Sequence, residues 1–263
     1  SFIINMNSEL NNILKIVDNT EFFKEYIEFP LSKNIDMTQE EMKNIITFLC
    51  ILLVAFSSCT EEEENRTITL NFSHHWDGTI ITNQDFNQLK FINANGNKVS
   101  IERLRYLISN ISLAGSKNYH LIDFTENSGT SISITDFTDG VYDLSFRFGF
   151  SDEDNKDGIY PDLNTLSFNV PGMLGGGYHY MQFDGKYEDN NDQEAGFNYH
   201  AIRAVDRNDP TNLKFEDTSF KVSLGTVEIT NNADITIKMN LAEWFKNPNT
   251  WNLNELNTVL MPN

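Results

Sequence analysis

Thr67-Ile68-Thr69-Leu70-Asn71-Phe72 alternates polar and apolar residues. Side chains of a strand point to opposite faces in turn, so this pattern puts one face in a core and the other toward water. Extended over Ser73-His74-His75-Trp76-Asp77-Gly78, the same strand sends His74 and Trp76 to one face and His75 to the other. Downstream, Leu89 to Ile92 and Val99 to Ile101 flank Asn95-Gly96-Asn97 as a hairpin. Further strands are expected over 99–113, 119–124, 131–134, 141–150, 166–170, 178–183, 197–204, 220–224, 227–230 and 235–241. Gly, Asn, Asp and Ser separate them, and only Ala242 to Lys246 reads as a helical turn. Many short strands with turn signals between them predict an all-β fold, an antiparallel β-sandwich with Greek-key-like connections.

Upstream of this region lies Met42 to Cys59, MKNIITFLCILLVAFSSC. Lys43, an apolar run from Ile45 to Phe56, then Ser57 and Ser58 make the n-region, h-region and small-residue site of a bacterial export signal. The run is shorter than the roughly 20 residues a bilayer core requires. Cys59 directly after the small residues marks a lipoprotein, its thiol acylated and its amine the new N-terminus. Phe56 stands where Leu, Val or Ile is usual. The expected organisation is thus a signal peptide at 42–58, an acidic tether at 59–66 with Glu61 to Glu64, and one domain at 67–263. Residues 1–41 begin with Ser1. The simplest reading makes Met42 the initiator, with a fused upstream frame as the alternative, and no function attaches to 1–41. The expected location is the envelope of a Gram-negative cell, at the outer membrane, facing the periplasm or the surface.

The chain carries 19 basic and 38 acidic residues, of which 15 and 30 fall in 59–263. Such a surface repels phosphate backbones and excludes nucleic acid as a partner; it attracts divalent cations. The two cysteines are Cys50 in the apolar run and Cys59. The domain after Cys59 therefore has neither a disulfide nor a thiolate metal site, and no thiol nucleophile.

The five histidines are His74, His75, His120, His179 and His200. Neutral imidazole is the usual protein ligand for zinc, copper and nickel. Adjacent His74 and His75 diverge on a strand, so either needs a partner from elsewhere. His179 in Gly177-Tyr178-His179-Tyr180 and His200 in Phe197-Asn198-Tyr199-His200 are the natural partners, each flanked by aromatics. His120 reads as structural. A second metal candidate is the oxygen-rich loop Asp152-Glu153-Asp154-Asn155-Lys156-Asp157-Gly158. Asp152, Asp154 and Asp157 suit calcium in type, though Lys156 and the missing distal Glu depart from EF-hand spacing. Gly175-Gly176-Gly177 reads as a bend. No Gly-x-Ser-x-Gly or His-Glu-x-x-His occurs, and the chain is not expected to be an enzyme.

Phe72 through Gly78, Val99 through Ile111, Tyr119 through Asp123, Gly140-Val141-Tyr142, Phe146 through Gly149 and Gly177 through Gly185 resemble the MbnP-like family. The family takes its name from a periplasmic partner of the copper chelator methanobactin. Arg103-Leu104-Arg105-Tyr106-Leu107-Ile108-Ser109-Asn110-Ile111 is the most specific element, and the resemblance spans roughly 67–241. It implies a β-rich exported protein that holds copper with histidines. It also implies a tryptophan open to oxidation to kynurenine, with a di-haem peroxidase-like partner. On this chain the implied copper ligands are His74 or His75 together with His200, with His179 an added candidate, and Trp76 is the implied oxidation site. Gly172-Met173-Leu174-Gly175-Gly176 lacks the tryptophan that relatives commonly carry before the Gly-Tyr strand.

Two functions follow as expectations. The first is copper capture or buffering by a protein anchored to the membrane only through its lipid. The second is an immunoglobulin-like interaction module for a protein or glycan, with Tyr178, Tyr180, Tyr187 and Tyr199 as an exposed sticking face.

Overall fold

The computed structural model describes residues 65–113, 119–206, 208–209 and 211–259. The export signal, Cys59 and the acidic run lie outside the described residues. The strands begin with β1 (Arg66–Trp76), β2 (Thr79–Ile80), β3 (Phe91–Ile92), β4 (Lys98–Val99) and β5 (Arg103–Ser109). They continue with β6 (Tyr119–Asp123), β7 (Ser131–Phe137) and β8 (Gly140–Phe148). After helix α1 (Pro161–Thr165) come β9 (Met181–Glu188), β10 (Glu194–Ala201), β11 (Ala204–Asp206) and β12 (Lys214–Glu216). The last are β13 (Phe220–Ile229), β14 (Ala233–Asn240) and β15 (Thr258–Val259).

The fold is a β-sandwich, as the alternation predicts. In the first sheet β1 lies beside β14 along one edge, and its other edge takes β7 and then β2. The second sheet runs β13-β8-β5-β9-β10-β15, with β6 on β5 and β4 on β9. Pairing is antiparallel except for β1 with β14 and β10 with β15, which are parallel. Every second residue of β1 from Ile68 to Trp76 is buried. Those side chains meet the second sheet: the Phe72 ring lies edge-on to Tyr106 at 6.5 Å and to Phe146 at 6.1 Å. Ile68 and Leu70 are fully buried, each contributing roughly 1.5–3 kcal/mol.

Local chemistry sets the turns. Asp77 and Gly78 both have positive φ, 45° and 91°, between paired Trp76 and Thr79. This two-residue Asp-Gly hairpin matches the twist of the strands it joins. The helical turn expected at 242–246 appears as a 3-10 turn at Leu241–Phe245, where the Asn240 side chain accepts from the Ala242 N–H. Two strands expected at 220–224 and 227–230 are one, β13, which crosses a bulge between Ser223 and Gly225 against β8.

The strand expected at 166–170 is not formed. Pro161 starts α1 at a position where its missing N–H costs nothing. Ser167 then takes φ 52°, which breaks any extended run, and Asn169 makes only an isolated bridge to Tyr178.

Candidate metal centre

Alternation along β5 sends Leu104 and Tyr106 into the sandwich and Arg103 and Arg105 to the opposite face. Register carries that polar face across two more strands. Arg103 pairs with Asp184 and Asp184 with Asn198; Arg105 pairs with Gln182 and Gln182 with His200. Asp184 is the hub of the first row. Its Oδ1 accepts from His200 Nε2 at 2.9 Å and from Asn198 Nδ2 at 2.8 Å, and its Oδ2 takes the Arg103 guanidinium. Burial pushes the Asp184 carboxyl up, but the His200 and Asn198 hydrogen bonds and the nearby charges outweigh it and hold the group below its ordinary value.

In the second row, Arg105 donates from Nε to Gln182 Oε1 at 2.5 Å and from Nη1 to the Leu166 carbonyl at 2.9 Å. Its guanidinium lies 5.3 Å from the centre of the Phe168 ring, a cation–π contact. Arg105 thereby holds the 166–168 segment over one end of the polar face.

His179 sits just before β9, under that segment. Its Nδ1 lies 3.0 Å from the Phe168 carbonyl oxygen and 3.3 Å from Gln182 Nε2. A carbonyl only accepts, and it is the nearer group, so Nδ1 carries the proton and Nε2 the lone pair. His200 is set the other way. Its Nε2 donates to the Asp184 carboxylate, which leaves the lone pair on Nδ1. Neither of these two lone-pair nitrogens makes a hydrogen bond among the described residues.

The two rings stand edge to face, with centres 5.3 Å apart and planes at 88°. A metal lies about 2.0–2.1 Å from an imidazole nitrogen, hence roughly 3 Å from the ring centre, so two rings sharing one ion have centres up to roughly 6 Å apart. The observed spacing falls within that limit. Burial, reinforced by His200, Arg105 and Arg103, lowers the His179 pKa to about 4 against the opposing hydrogen bond to Phe168. His179 is therefore neutral at pH 7, the form a soft cation needs. The two imidazoles supply two nitrogen donors of the type a copper ion takes. Among the described residues no three His, Cys, Asp or Glu side chains are grouped to hold an ion.

The other histidines lie elsewhere. His74 and Trp76 do share a face of β1 and His75 takes the other, as the alternation predicts. The inward face is the core, however. His74 is buried, stacks on Phe124 with ring centres 4.0 Å apart, and meets Tyr106 Oη through Nε2 at 3.1 Å. Tyr106 and the Arg103–Arg105 pair occupy opposite faces of β5, so His74 and His200 sit on opposite sides of the second sheet. The pairing of His74 with His200 is not formed. His75 is engaged locally, with Nε2 3.1 Å from Ser73 Oγ and Nδ1 3.4 Å from the Gly78 carbonyl. Trp76 is buried, stacked on Phe91 at 4.9 Å, and donates from Nε1 to the Ile92 carbonyl at 3.1 Å.

In the acidic loop Asp154 and Asp157 have hydrogen-bond partners, whereas Asp152 Oδ1 is buried without one among the described residues and has only a long ion pair. Asp152 Oδ1 lies 3.8 Å from Arg203 Nη1, Asp154 Oδ2 accepts from Ser151 Oγ at 2.8 Å, and Asp157 Oδ1 accepts from the Gly177 N–H at 3.4 Å. Asn155 is buried and accepts from the Tyr178 N–H at 2.7 Å. The loop braces the triple-glycine bend. The expected aromatic face is also absent: Tyr178, Tyr180 and Tyr187 are buried, because they alternate inward or plug the bend, and Tyr199 is packed against the core.

Sequence reasoning named His179 and His200 but missed Arg103, Asp184, Gln182 and Asn198 as their surroundings. The available signal was spacing: 103 and 105, 182 and 184, and 198 and 200 are each polar pairs two apart with Leu104, Phe183 or Tyr199 between them.

A family model described as MbnP matches residues 65–262. Among solved structures, MbnP from Methylosinus trichosporium is similar to the chain with a TM-score of 0.44 and 11% identity, over 63% of this chain and 73% of that one. No curated protein matches the chain.

Proposed function

The chain belongs to the MbnP family, and on that premise we propose that it is a copper-binding protein of the bacterial envelope, gripping its metal through His179 and His200. The observation that carries the reading is the closeness of these two imidazoles, 5.3 Å between centres, each with its other nitrogen engaged by a fixed oxygen acceptor. The copper assignment draws on the family resemblance. With no cysteine after Cys59 there is no thiolate donor, and imidazole is the donor this pair offers. Bound copper would take Nε2 of His179 and Nδ1 of His200 and supply a site for capture or buffering, without turnover.

The chain's own residues do the rest. Arg105 pins the 166–168 segment, whose Phe168 carbonyl orients His179. Two ligands leave the remaining positions open to solvent or to an incoming chelator, as exchangeable sites require. The export signal and Cys59 support a lipid anchor at the outer membrane of a Gram-negative cell as the domain's setting. A di-haem peroxidase-like partner is retained from the resemblance.

Copper titration against a competing chelator tests the reading. The parent protein and His74→Ala are expected to bind alike, and His179→Ala and His200→Ala to lose at least about tenfold in affinity each. Parent-like binding by both of the latter variants overturns it.

A further inference from the structure

We infer that Asp184 is a positioning residue for this metal site: it locks His200 in the Nε2–H tautomer, so that Nδ1 faces the metal. The inference rests on the copper reading above and concerns which nitrogen is offered.

An unconstrained imidazole exchanges its proton between two nitrogens and turns about its side-chain bonds. His200 has neither freedom. Its Nε2 meets Asp184 Oδ1 at 2.9 Å, and a carboxylate acceptor fixes the proton there. Asp184 is itself held by two further side chains and by burial. Arg103 takes Oδ2, Asn198 donates to Oδ1 at 2.8 Å, and the group is buried. All four residues sit on β5, β9 and β10, Arg103, Asp184 and Asn198 in one cross-strand row and His200 two residues along on the same face, so the arrangement is carried by sheet hydrogen bonding and not by a loop. Sites on rigid elements hold ligand geometry more tightly than sites on loops.

The chemistry resembles the carboxylate–histidine pairing found behind metal-binding imidazoles generally. His179 obtains the opposite tautomer from a backbone carbonyl, so the two ligands present different nitrogens. A plain structural ion pair between Arg103 and Asp184 would leave Oδ1 indifferent to His200; here Oδ1 serves His200 and Asn198 together.

The test has two readings on the intact protein. Long-range proton–nitrogen NMR of the metal-free parent near pH 7 reports the tautomer directly. His200 is expected as Nε2–H, and a protonated Nδ1 overturns the inference without any variant. Copper competition then compares Asp184→Asn and Asp184→Glu with the parent. Asp184→Asn is expected to weaken binding about 10- to 100-fold, with partial recovery in Asp184→Glu. If Asp184→Asn binds as the parent while His200→Ala loses copper, the positioning role is wrong and the copper site stands. If His200→Ala also binds as the parent, the copper reading fails, and this inference falls with it.

Discussion

His179 and His200 meet edge to face, 5.3 Å between ring centres, although 21 positions separate them in the chain. The β9–β10 hairpin brings them together: Gln182 pairs with His200 and Met181 with Ala201, so His179, two residues before β9, lands beside the end of β10. Whatever loosens that hairpin loosens the site.

Gly185 gives the sharpest probe of this dependence. A Cβ there would lie 2.1 Å from the Ser100 carbonyl oxygen and 2.7 Å from the Phe197 ring. Backbone cannot yield as a flexible side chain can, so Gly185→Ala is expected to cost about 2–4 kcal/mol. Urea unfolding measures the loss. Copper affinity should fall with it, because Asp184 is the adjacent residue.

Acid should destabilise the fold in a defined window. Burial lowers the pKa of His74, with His75 adding, and that of His179, each to about 4. In the unfolded chain both return to about 6.5. Between those values the unfolded state binds protons the folded state refuses. The stabilising contribution is therefore complete above about pH 6.5, falls as the pH drops toward 4, and levels off below. Each histidine accounts for up to about 3 kcal/mol. Urea unfolding at several pH values should show the slope, and His74→Phe should remove about half of it.

Trp76 should resist a diffusing oxidant. It is buried, stacked on Phe91 and hydrogen-bonded to Ile92, whereas Trp244 and Trp251 are only partly buried. Peptide mass mapping after mild oxidation of the folded protein is expected to find Trp244 or Trp251 modified first. Early modification at Trp76 would show that the strand end opens readily.

Arg105 should govern order in the segment above the site. Arg105→Met removes hydrogen bonds to Gln182 Oε1 and to the Leu166 and Ser167 carbonyls. Hydrogen exchange in 163–168 is expected to accelerate at least about tenfold, equivalent to losing about 1.4 kcal/mol of local protection. The amides of β5 should be little changed.

Local pattern made much of this fold legible. The alternation of 67–76 predicts both the strand and the divergence of His74 from His75. What it does not supply is the partner of each face. The segment with two histidines and a tryptophan looked richest in chemistry, yet its inward face is the core, where His74 stacks on Phe124. Long-range register was illegible for the same reason: Ile68 lies beside Ala233 in a parallel pair, and no local rule brings residues so distant together. The polar pairs 103/105, 182/184 and 198/200 were visible one strand at a time. Only the cross-strand register shows that they form one surface. The break at Ser167 was hidden because a positive φ at serine carries no compositional mark.

The most direct measurement is anomalous X-ray scattering at the copper edge from crystals of the copper-loaded protein. A peak bonded to Nε2 of His179 and Nδ1 of His200 is the predicted result. A peak at His74 or His75, or none beside the 179–200 pair at full copper loading, would contradict the account.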